Sequence, residues 1–353
     1  MARNIMRLML AGFFAVLTLI LHLLGNYAPK LVFALYPSIS QNILSALGGF
    51  FSVFPLAMWE LLALALLIWI LYTMIRDFSQ LKIIQWLTGV LMCFSIGVFV
   101  VMLLWGLNYY SPPMHEKIGL SGKEYSLQQL QQATIYYRDM ANRTASAVPR
   151  NGDGTMDSGS FPDLAEESVK SFKRMELQYD CFEGPKTRPK RLLFSGLIGL
   201  DGIFVPFTGE CGVSPDTYSA SLSFTMCREL GRRIGFVSED EAEFAAFLAC
   251  SASDSAEFRY SGYFNAFSFC YNALYAADQE AAEAVWEGVS SPVRADCAAR
   301  WDILTEDWKQ LFTEFHENIQ DTYTQSFETE DGERPEHDSV VQLLTMWYYE
   351  RIL

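Results

Sequence analysis

The sequence is poor in histidine, and its four histidines lie far apart, at His22, His115, His316 and His337. A zinc site of the peptidase type needs two imidazoles one helical turn apart, or a comparably tight cluster of donors. No pair among these four has that spacing. A glycine-rich phosphate loop is also missing, and the Ser-Gly pairs at 195 and 261 have no histidine nearby in sequence. Nucleotide hydrolysis and serine-type hydrolysis therefore gain no support.

Charged residues are scarce in the first 105 residues. Of the 26 basic and 41 acidic residues in the chain, this part holds only five bases and two acids. Residues 106–353 carry the acidic excess behind the formal net charge of −15. We therefore expect a lipid-like membrane domain at 1–105 and a water-facing domain at 106–353. So acidic a surface repels phosphates, which argues against binding of DNA or RNA.

Three apolar runs in the membrane domain are long enough to cross a bilayer. They lie at about 6–24, 56–75 and 83–105, and each approaches the roughly 20 apolar residues that a transmembrane helix needs. The first could be a signal peptide, but no small-x-small cleavage site follows it, which favours a retained helix. Residues 31–55 are only moderately apolar, with scattered Gly, Ser and Pro. They predict a short interfacial helix and not a further span.

The basic residues predict the orientation of the spans. Arg3 precedes the first span and Arg7 lies at its start, and two more bases lie between the second and third, whereas the first loop has only Lys30. The positive-inside rule therefore places the N-terminus and the second loop in the cytoplasm. Three crossings then put residues 106–353 on the extracytoplasmic side, with the lipid bilayer as the partner of the first domain.

The water-facing domain is predicted to be α+β and mostly helical. Apolar periodicity and capping residues predict helices at 126–147, 163–179, 215–234, 238–253, 260–277, 278–289, 293–327 and 339–352. Apolar runs bounded by glycine predict strands at 191–195 and 202–207. The central helix, 215–234, has Ser214 as its predicted N-cap, Pro215 at its first position and Gly235 as its stop.

The central helix has the layout of a zinc-protease helix without the histidines. In the motif H-E-x-x-H, two imidazoles one turn apart flank a glutamate. Here Arg228 and Arg232 hold the imidazole positions, and Glu229 keeps the position of the acid. A guanidinium stays protonated and has no lone pair for a metal. The residues therefore predict that no metal is bound and that Glu229 has no metal-activated water to serve.

Ordinary helix chemistry offers an alternative explanation for the same residues. Ser238 and Glu241 fit an S-x-x-E capping box, which alone accounts for Glu241. Glu229 with Arg232 or Arg233 would be a common pair of side chains one turn apart.

Five short motifs around the central helix resemble a bacterial membrane-protein family known as domain of unknown function 3810. They are Pro206-Phe-Thr-Gly-Glu210, x-E-L-x-x-x-x-G-F, Glu239-Asp-Glu-Ala242, Phe247-Leu-Ala-Cys250 and Phe258-Arg-Tyr-Ser-Gly-Tyr263. The resemblance is close over 200–265 and loose over the membrane domain. Members of that family resemble gluzincin metallopeptidases, with a few N-terminal transmembrane helices followed by an extracytoplasmic domain.

The resemblance implies a zincin-like fold and assigns positions to the residues of the lost site. Arg228 and Arg232 fall on the two histidine ligands, Glu229 on the general base and Glu241 on the third zinc ligand. Two arginines with one glutamate carry the same total charge as zinc with two histidines and one glutamate. We therefore expect Arg228 or Arg232 to pair with Glu241, so that a salt bridge holds the two helices where zinc once did.

Two neighbouring residues are further candidates for the site. Cys227 adjoins the lost site and would supply a thiolate, with Glu229 and Glu241, if a metal site had been rebuilt. Glu210 lies in the first of the five motifs.

The seven cysteines leave two alternatives open. One lies in the third span, and the even six outside permit disulfides, for example between Cys250 and Cys270 on successive helices. The alternative is that these cysteines are buried free thiols.

Three functions follow from the sequence. The first is a membrane-anchored, catalytically inactive pseudo-metallopeptidase of the cell envelope. It would bind a protein or peptide partner in the groove beside the strand predicted from Gly202 to Phe207, and its family cofactor, zinc, would be lost. The second is an active zinc metallopeptidase with non-standard ligands, and the third is a structural envelope protein. The residues in the ligand positions favour the first.

Overall fold

The computed structural model describes residues 2–123, 125–184, 186–304 and 339–353, and the chain divides into two compact units. The first unit comprises Met1–Ser111 together with Val205–Glu210. The second comprises Pro112–Phe204 and Cys211–Leu353. A short segment from the middle of the chain therefore groups with the N-terminal helices.

The first unit consists almost entirely of long apolar helices. They are α1 (Ala2–Tyr27), α2 (Pro29–Ser52), α3 (Met58–Ser79) and α4 (Ile83–Leu104), followed by a 3₁₀ turn at Gly106–Tyr110. Within the described part of the chain, these four are the helices long and apolar enough to cross a membrane. Helices α1, α3 and α4 coincide with the three predicted spans.

Helix α2 differs from its prediction in length. We expected a short helix within residues 31–55, but the structure has one continuous helix of 24 residues with Pro37 inside it. Proline removes one backbone hydrogen bond, a loss that is tolerated in membrane helices where neighbouring groups satisfy the freed carbonyl. Composition and length alone therefore make α2 a fourth candidate span.

The second unit is predominantly helical, as predicted. Its α-helices are α5 (Met114–Ile118), α6 (Leu127–Ala145), α7 (Phe161–Glu176), α8 (Ser195–Ile198), α9 (Ser219–Ile234), α10 (Glu239–Ser251), α11 (Ala256–Ala277), α12 (Gln279–Glu287), α13 (Ser291–Leu304) and α14 (Val340–Trp347). Helices α9, α10 and α11 pack against one another, with α6 against α11 and α7 against α9. The helix predicted at 293–327 is described only as far as Leu304. Its remainder, which includes His316, lies outside the described residues, and so does His337 further along the chain.

A small sheet lies before α9 in the chain. Its strands are β1 (Lys190–Arg191), β2 (Gly202–Val205) and β3 (Glu210–Val213), in the order β1-β3-β2. Strand β1 runs parallel to β3, with Lys190 opposite Gly212. The strand predicted at 191–195 is thus reduced to its start. Strand β3 was not predicted, because its sequence, Glu-Cys-Gly-Val, has no apolar alternation and only one strong β-former, Val213.

The predicted start of α9 is wrong by one turn. Ser214 is not its N-cap, because the helix begins at Ser219. Instead, the Ser214 hydroxyl accepts a hydrogen bond from the Asp216 backbone N–H at 3.1 Å. The backbone carbonyl of Ser214 accepts another from the Thr217 N–H. Ser-Pro-Asp suits a turn as well as a helix start, since short polar side chains readily bond the backbone two residues ahead.

Candidate functional site

The joint between α9 and α10 is built by two local signals that the sequence predicted. Gly235 has a φ of 115° and ends α9, and the Phe236 N–H bonds the Gly231 carbonyl at 3.1 Å. Ser238 then caps α10 by accepting a hydrogen bond from the Glu241 N–H at 3.3 Å. The tight joint brings the first turn of α10 beside the last turns of α9.

Two arginines of α9 and two glutamates form a cluster at this joint, which we call the arginine–glutamate cluster. Arg228 Nε lies 3.1 Å from Glu229 Oε1, and Arg228 Nη1 lies 3.1 Å from Glu239 Oε1. Arg232 Nη1 lies 3.6 Å from Glu229 Oε2, and Arg232 Nη2 also contacts the Glu239 carboxylate. The Glu229 side chain is completely buried, and those of Arg228 and Arg232 are 17% and 13% exposed. These ion pairs link α9 to α10.

The acid from α10 is Glu239, and not Glu241 as we expected from the resemblance. Glu241 accepts a hydrogen bond from the Met114 N–H at 2.8 Å and lies 3.8 Å from Lys117 Nζ. Successive helical residues are about 100° apart around the axis, so side chains two residues apart point to nearly opposite sides. The predicted salt bridge between the helices is therefore present with a different partner.

The carboxylate of Glu229 also packs against the small sheet. A Cβ placed on Gly202 of β2 would lie 2.8 Å from Glu229 Oε1 and 3.0 Å from the Thr225 side chain. Gly202 therefore permits a close approach between β2 and α9 that a larger residue would obstruct. The buried acid thus sits between two guanidinium groups and the backbone of β2.

Two more acids act on the cluster: Asp201, which sequence reasoning missed, and Glu243, which it noted beside the site without assigning it a role. Burial of the Arg228 guanidinium lowers its pKa, but attraction to Glu229, Glu243 and Asp201 outweighs this and leaves the pKa raised. Burial raises the pKa of Glu243 to about 7, although Arg228 and Arg232 oppose that shift. Glu243 is one helical turn after Glu239, a spacing that could have assigned it to the cluster.

The raised pKa of Glu243 predicts a pH-dependent stability. Because the folded state holds this proton more tightly than the unfolded state, whose pKa is near the ordinary 4.5, stability should fall as the pH rises from 4.5 to about 7. Replacing Glu243 with Gln should remove that part of the pH dependence. Thermal unfolding of both proteins at pH 5 and pH 8 measures it, and equal slopes with pH would contradict the prediction.

Cys227 lies beside the cluster as a neutral thiol. It is completely buried, and burial raises the pKa of its thiol well above the usual value, as does a hydrogen bond with the Cys250 thiol. All seven cysteines are free in the structure, in agreement with the second alternative.

Glu210, the other nearby candidate, has a structural contact in the first unit. Its carboxylate accepts hydrogen bonds from the backbone N–H groups of Met58 at 3.2 Å and Trp59 at 3.0 Å. These are the first two residues of α3, where a negative charge favourably meets the helix dipole. Glu210 therefore caps a membrane helix.

The side chains of Arg228 and Arg232 do not fit zinc. The nitrogen atoms of Arg228 and Arg232 point at carboxylates as hydrogen-bond donors, so they offer no lone pair. Within the described part of the chain, no three His, Cys, Asp or Glu side chains come together as a metal-binding group. The chemistry that this arrangement supports is ion pairing between two helices.

Comparison with known proteins identifies the family of the chain. No curated protein and no solved structure is significantly similar to it. The model of one family, described as protein of unknown function (DUF3810), matches residues 34–345. That match includes α9, α10 and the arginine–glutamate cluster, and it extends through most of α2 and all of α3 and α4. The chain therefore belongs to the DUF3810 family.

Proposed function

We propose that this protein is a membrane-anchored pseudo-metallopeptidase, which keeps a zincin-like site as a structural joint and binds a peptide or protein partner at the cell envelope. The main support for this proposal is that two guanidinium groups occupy both histidine positions of an H-E-x-x-H layout. Glu229 and Glu239 neutralise them. These ion pairs hold α9 and α10 together, as a metal ion would in a zincin.

The geometry of the cluster indicates which acid would have been the third zinc ligand of an ancestral site. If α9 and α10 once held zinc, the third ligand was the acid that now faces the arginines, which is Glu239. A glutamate on the adjoining helix, one imidazole at 228 and one at 232 would form a three-ligand site of the kind found in catalytic zinc enzymes. The proposal therefore predicts which acid a restored site would use.

Replacing both arginines with histidine tests that prediction. We expect the purified Arg228→His, Arg232→His protein to bind zinc at about one ion per chain, and the unmodified protein to bind none, by elemental analysis after dialysis. Stoichiometric zinc in the unmodified protein would overturn the proposal and favour an active peptidase with unusual ligands. Absence of zinc from the double variant would argue against descent from a zincin.

Two single additions to the double variant serve as matched controls. Adding Glu239→Gln should abolish zinc binding, because an amide then replaces the carboxylate that serves as the third ligand. Adding Glu241→Gln should leave zinc binding intact, since Glu241 contacts Met114 and Lys117. The opposite pattern would restore Glu241 to the ligand position.

The proposed binding surface is the part of strand β2 that belongs to the second unit, residues 202–204. It lies at the edge of the sheet order β1-β3-β2, and an edge strand can pair with an extended peptide through main-chain hydrogen bonds. Glu229 lies directly against Gly202 of this strand. This juxtaposition matches the place where a peptidase would hold its substrate next to the general base.

A photo-crosslinking residue at Ile203, which is half-buried in β2, tests this surface in the full chain. We expect crosslinks to one contiguous segment of a partner, identified by mass spectrometry. The same residue at Glu280, an exposed position on α12, is the control. Identical crosslinks from both positions would contradict a specific site on β2.

We also propose that the second unit lies outside the cytoplasm. Arg3 and Arg7 lie in the first turns of α1, and Arg76 and Lys82 lie at the end of α3 and just before α4. The positive-inside rule favours the cytoplasmic side for both segments. An odd number of crossings then carries residues 112–353 to the other side. The number of crossings is odd if α1, α3 and α4 cross the bilayer and α2 does not.

A further inference from the structure

We infer that α2 does not cross the membrane, despite its length, but lies along the bilayer surface at the end of the first unit where α1 and α4 end. Two observations support this placement: the contacts within the first unit, and the division of the α2 side chains into a buried row, an exposed apolar row and an exposed polar group. This placement is independent of the proposed function.

Contacts between α1 and α4 show that these two helices run parallel. Arg7, near the start of α1, donates a hydrogen bond to the carbonyl of Gln85, near the start of α4, at 2.6 Å. Further along, the ring centroids of Phe14 and Phe99 are 5.3 Å apart. At the far end Gly25 lies against the ring of Tyr110, just after α4. Both helices therefore start at one end of the unit and finish at the other.

Helix α3 runs in the opposite direction. Only residues 80–82 separate it from α4, and the rings of Phe78 and Trp86 meet with centroids 5.6 Å apart. Asp77 near its end interacts electrostatically with Arg3 at the start of α1. The start of α3 therefore lies at the same end of the unit as the finish of α1 and α4.

Helix α2 connects two points at that same end. It begins two residues after α1 finishes and ends shortly before α3 begins. At its middle, the Ser40 hydroxyl donates a hydrogen bond to the carbonyl of Leu104, the last residue of α4. If α2 spanned the bilayer, Ser40 would lie about 16 Å from the start of α2, near the bilayer centre. Leu104 cannot lie at that depth while α4 itself spans the bilayer.

The second half of α2 confirms this placement within the first unit. Gly209 packs so closely on α2 that a Cβ there would lie 2.9 Å from the Leu44 carbonyl and 3.0 Å from the Gly48 nitrogen. The next residue, Glu210, caps the start of α3. Residues 40–48 of α2 therefore run across the end of the unit where α3 begins. They do not run towards the opposite end.

The side chains of α2 divide into three groups. A buried row packs on the unit, an exposed apolar row lies on a second side, and exposed polar residues lie on a third, as expected from about 100° per residue. The buried row is Tyr36, Ser40, Leu44 and Gly48. The exposed apolar row is Leu31, Leu35, Ile39 and Ile43, and the exposed polar residues are Ser38, Asn42 and Ser45.

This arrangement fits a bilayer surface as the partner of α2. In a spanning helix, exposed Ser38, Asn42 and Ser45 would face hydrocarbon, where polar groups without partners are costly. At the surface, the apolar row enters the acyl region while the polar side faces water, as in interfacial amphipathic helices. The occupant of the exposed apolar row is therefore lipid, and the first unit crosses the bilayer three times, through α1, α3 and α4.

Labelling of introduced cysteines in the full chain distinguishes three crossings from four. We use Tyr27→Cys before α2, Val53→Cys after it and Gln80→Cys between α3 and α4, all exposed positions. A membrane-impermeant maleimide is applied to intact cells and to inside-out vesicles, with the unaltered chain as background. We expect Tyr27→Cys and Val53→Cys to react from one side and Gln80→Cys from the other. Reaction of Tyr27→Cys and Val53→Cys from opposite sides would overturn the inference.

Depth measurement gives a second readout that does not depend on labelling sidedness. A spin label at Ile39, in the middle of α2, is compared with one at Ile68, in the middle of α3, in phospholipid vesicles. Both side chains are more than half exposed. We expect Ile68 near the bilayer centre and Ile39 roughly 10 Å or more closer to the headgroups, given a hydrocarbon half-thickness of about 15 Å. Equal depths would mean that α2 spans the bilayer.

Discussion

Replacing Asp296 with Ala should destabilise the second unit by about 3–5 kcal/mol, the range for removing one partner of a buried ion pair. Asp296 is completely buried. Its carboxylate lies 2.5 Å from Arg150 Nη1, accepts from the Met156 N–H at 2.8 Å and accepts from the Tyr260 hydroxyl. Truncation leaves all three donors without this acceptor inside the protein.

The thermal midpoint of the detergent-solubilised chain measures this effect. At about 2–4 °C per kcal/mol for a unit of this size, the Asp296→Ala variant should unfold roughly 10 °C earlier. Asp139→Ala is the control, because Asp139 is 55% exposed and pairs with Arg138 at 2.7 Å. An exposed pair contributes about 0–1 kcal/mol. Equal shifts for the two variants would show that the buried contacts of Asp296 add little.

Sequence predicted the features of the site that are encoded locally. Gly235 ends α9 because it takes a left-handed conformation, and Ser238 caps α10 because its hydroxyl reaches a nearby N–H. Both interactions join residues within a few positions of each other. The same holds for the three most apolar helices, whose composition indicates lipid contact directly.

The choice between Glu239 and Glu241 could not be made from the sequence. Both acids lie in the first turn of α10, and both fit a short acidic motif. Which one faces Arg228 depends on the rotation of α10 about its axis, and tertiary packing sets that rotation. Asp296 gave no signal either, because its partner Arg150 lies 146 positions away in the chain.

The length of helix α2 shows the same limit, because the sequence predicted a short interfacial helix and the structure has one of 24 residues. Its composition passes the threshold for a transmembrane helix, and the exposed polar side becomes evident only when burial is known. The buried row from Tyr36 to Gly48 separates side chains that face the protein from those that face the surroundings. Hydropathy averages over all three sides and therefore cannot distinguish a surface helix from a span.

Replacing Arg228 and Arg232 together with Met should cost about 3–5 kcal/mol, because the fully buried Glu229 carboxylate then loses both guanidinium partners. Methionine keeps the length and apolar contacts of the arginine stems, so the loss reports on charge. Adding Glu229→Gln should recover most of the stability, since a neutral amide needs no counter-charge in the interior.

The outcome of this series, followed as thermal midpoints in one detergent, separates two roles for the arginine–glutamate cluster. Recovery in the triple variant would mean that the arginines stabilise the joint by compensating Glu229, as a cation at the same place would. A triple variant no more stable than the double would mean that the arginines matter for specific hydrogen bonds across α9 and α10, including those to Glu239. Under the first outcome the joint depends on positive charge beside Glu229, and not on the hydrogen-bond geometry of the guanidinium groups.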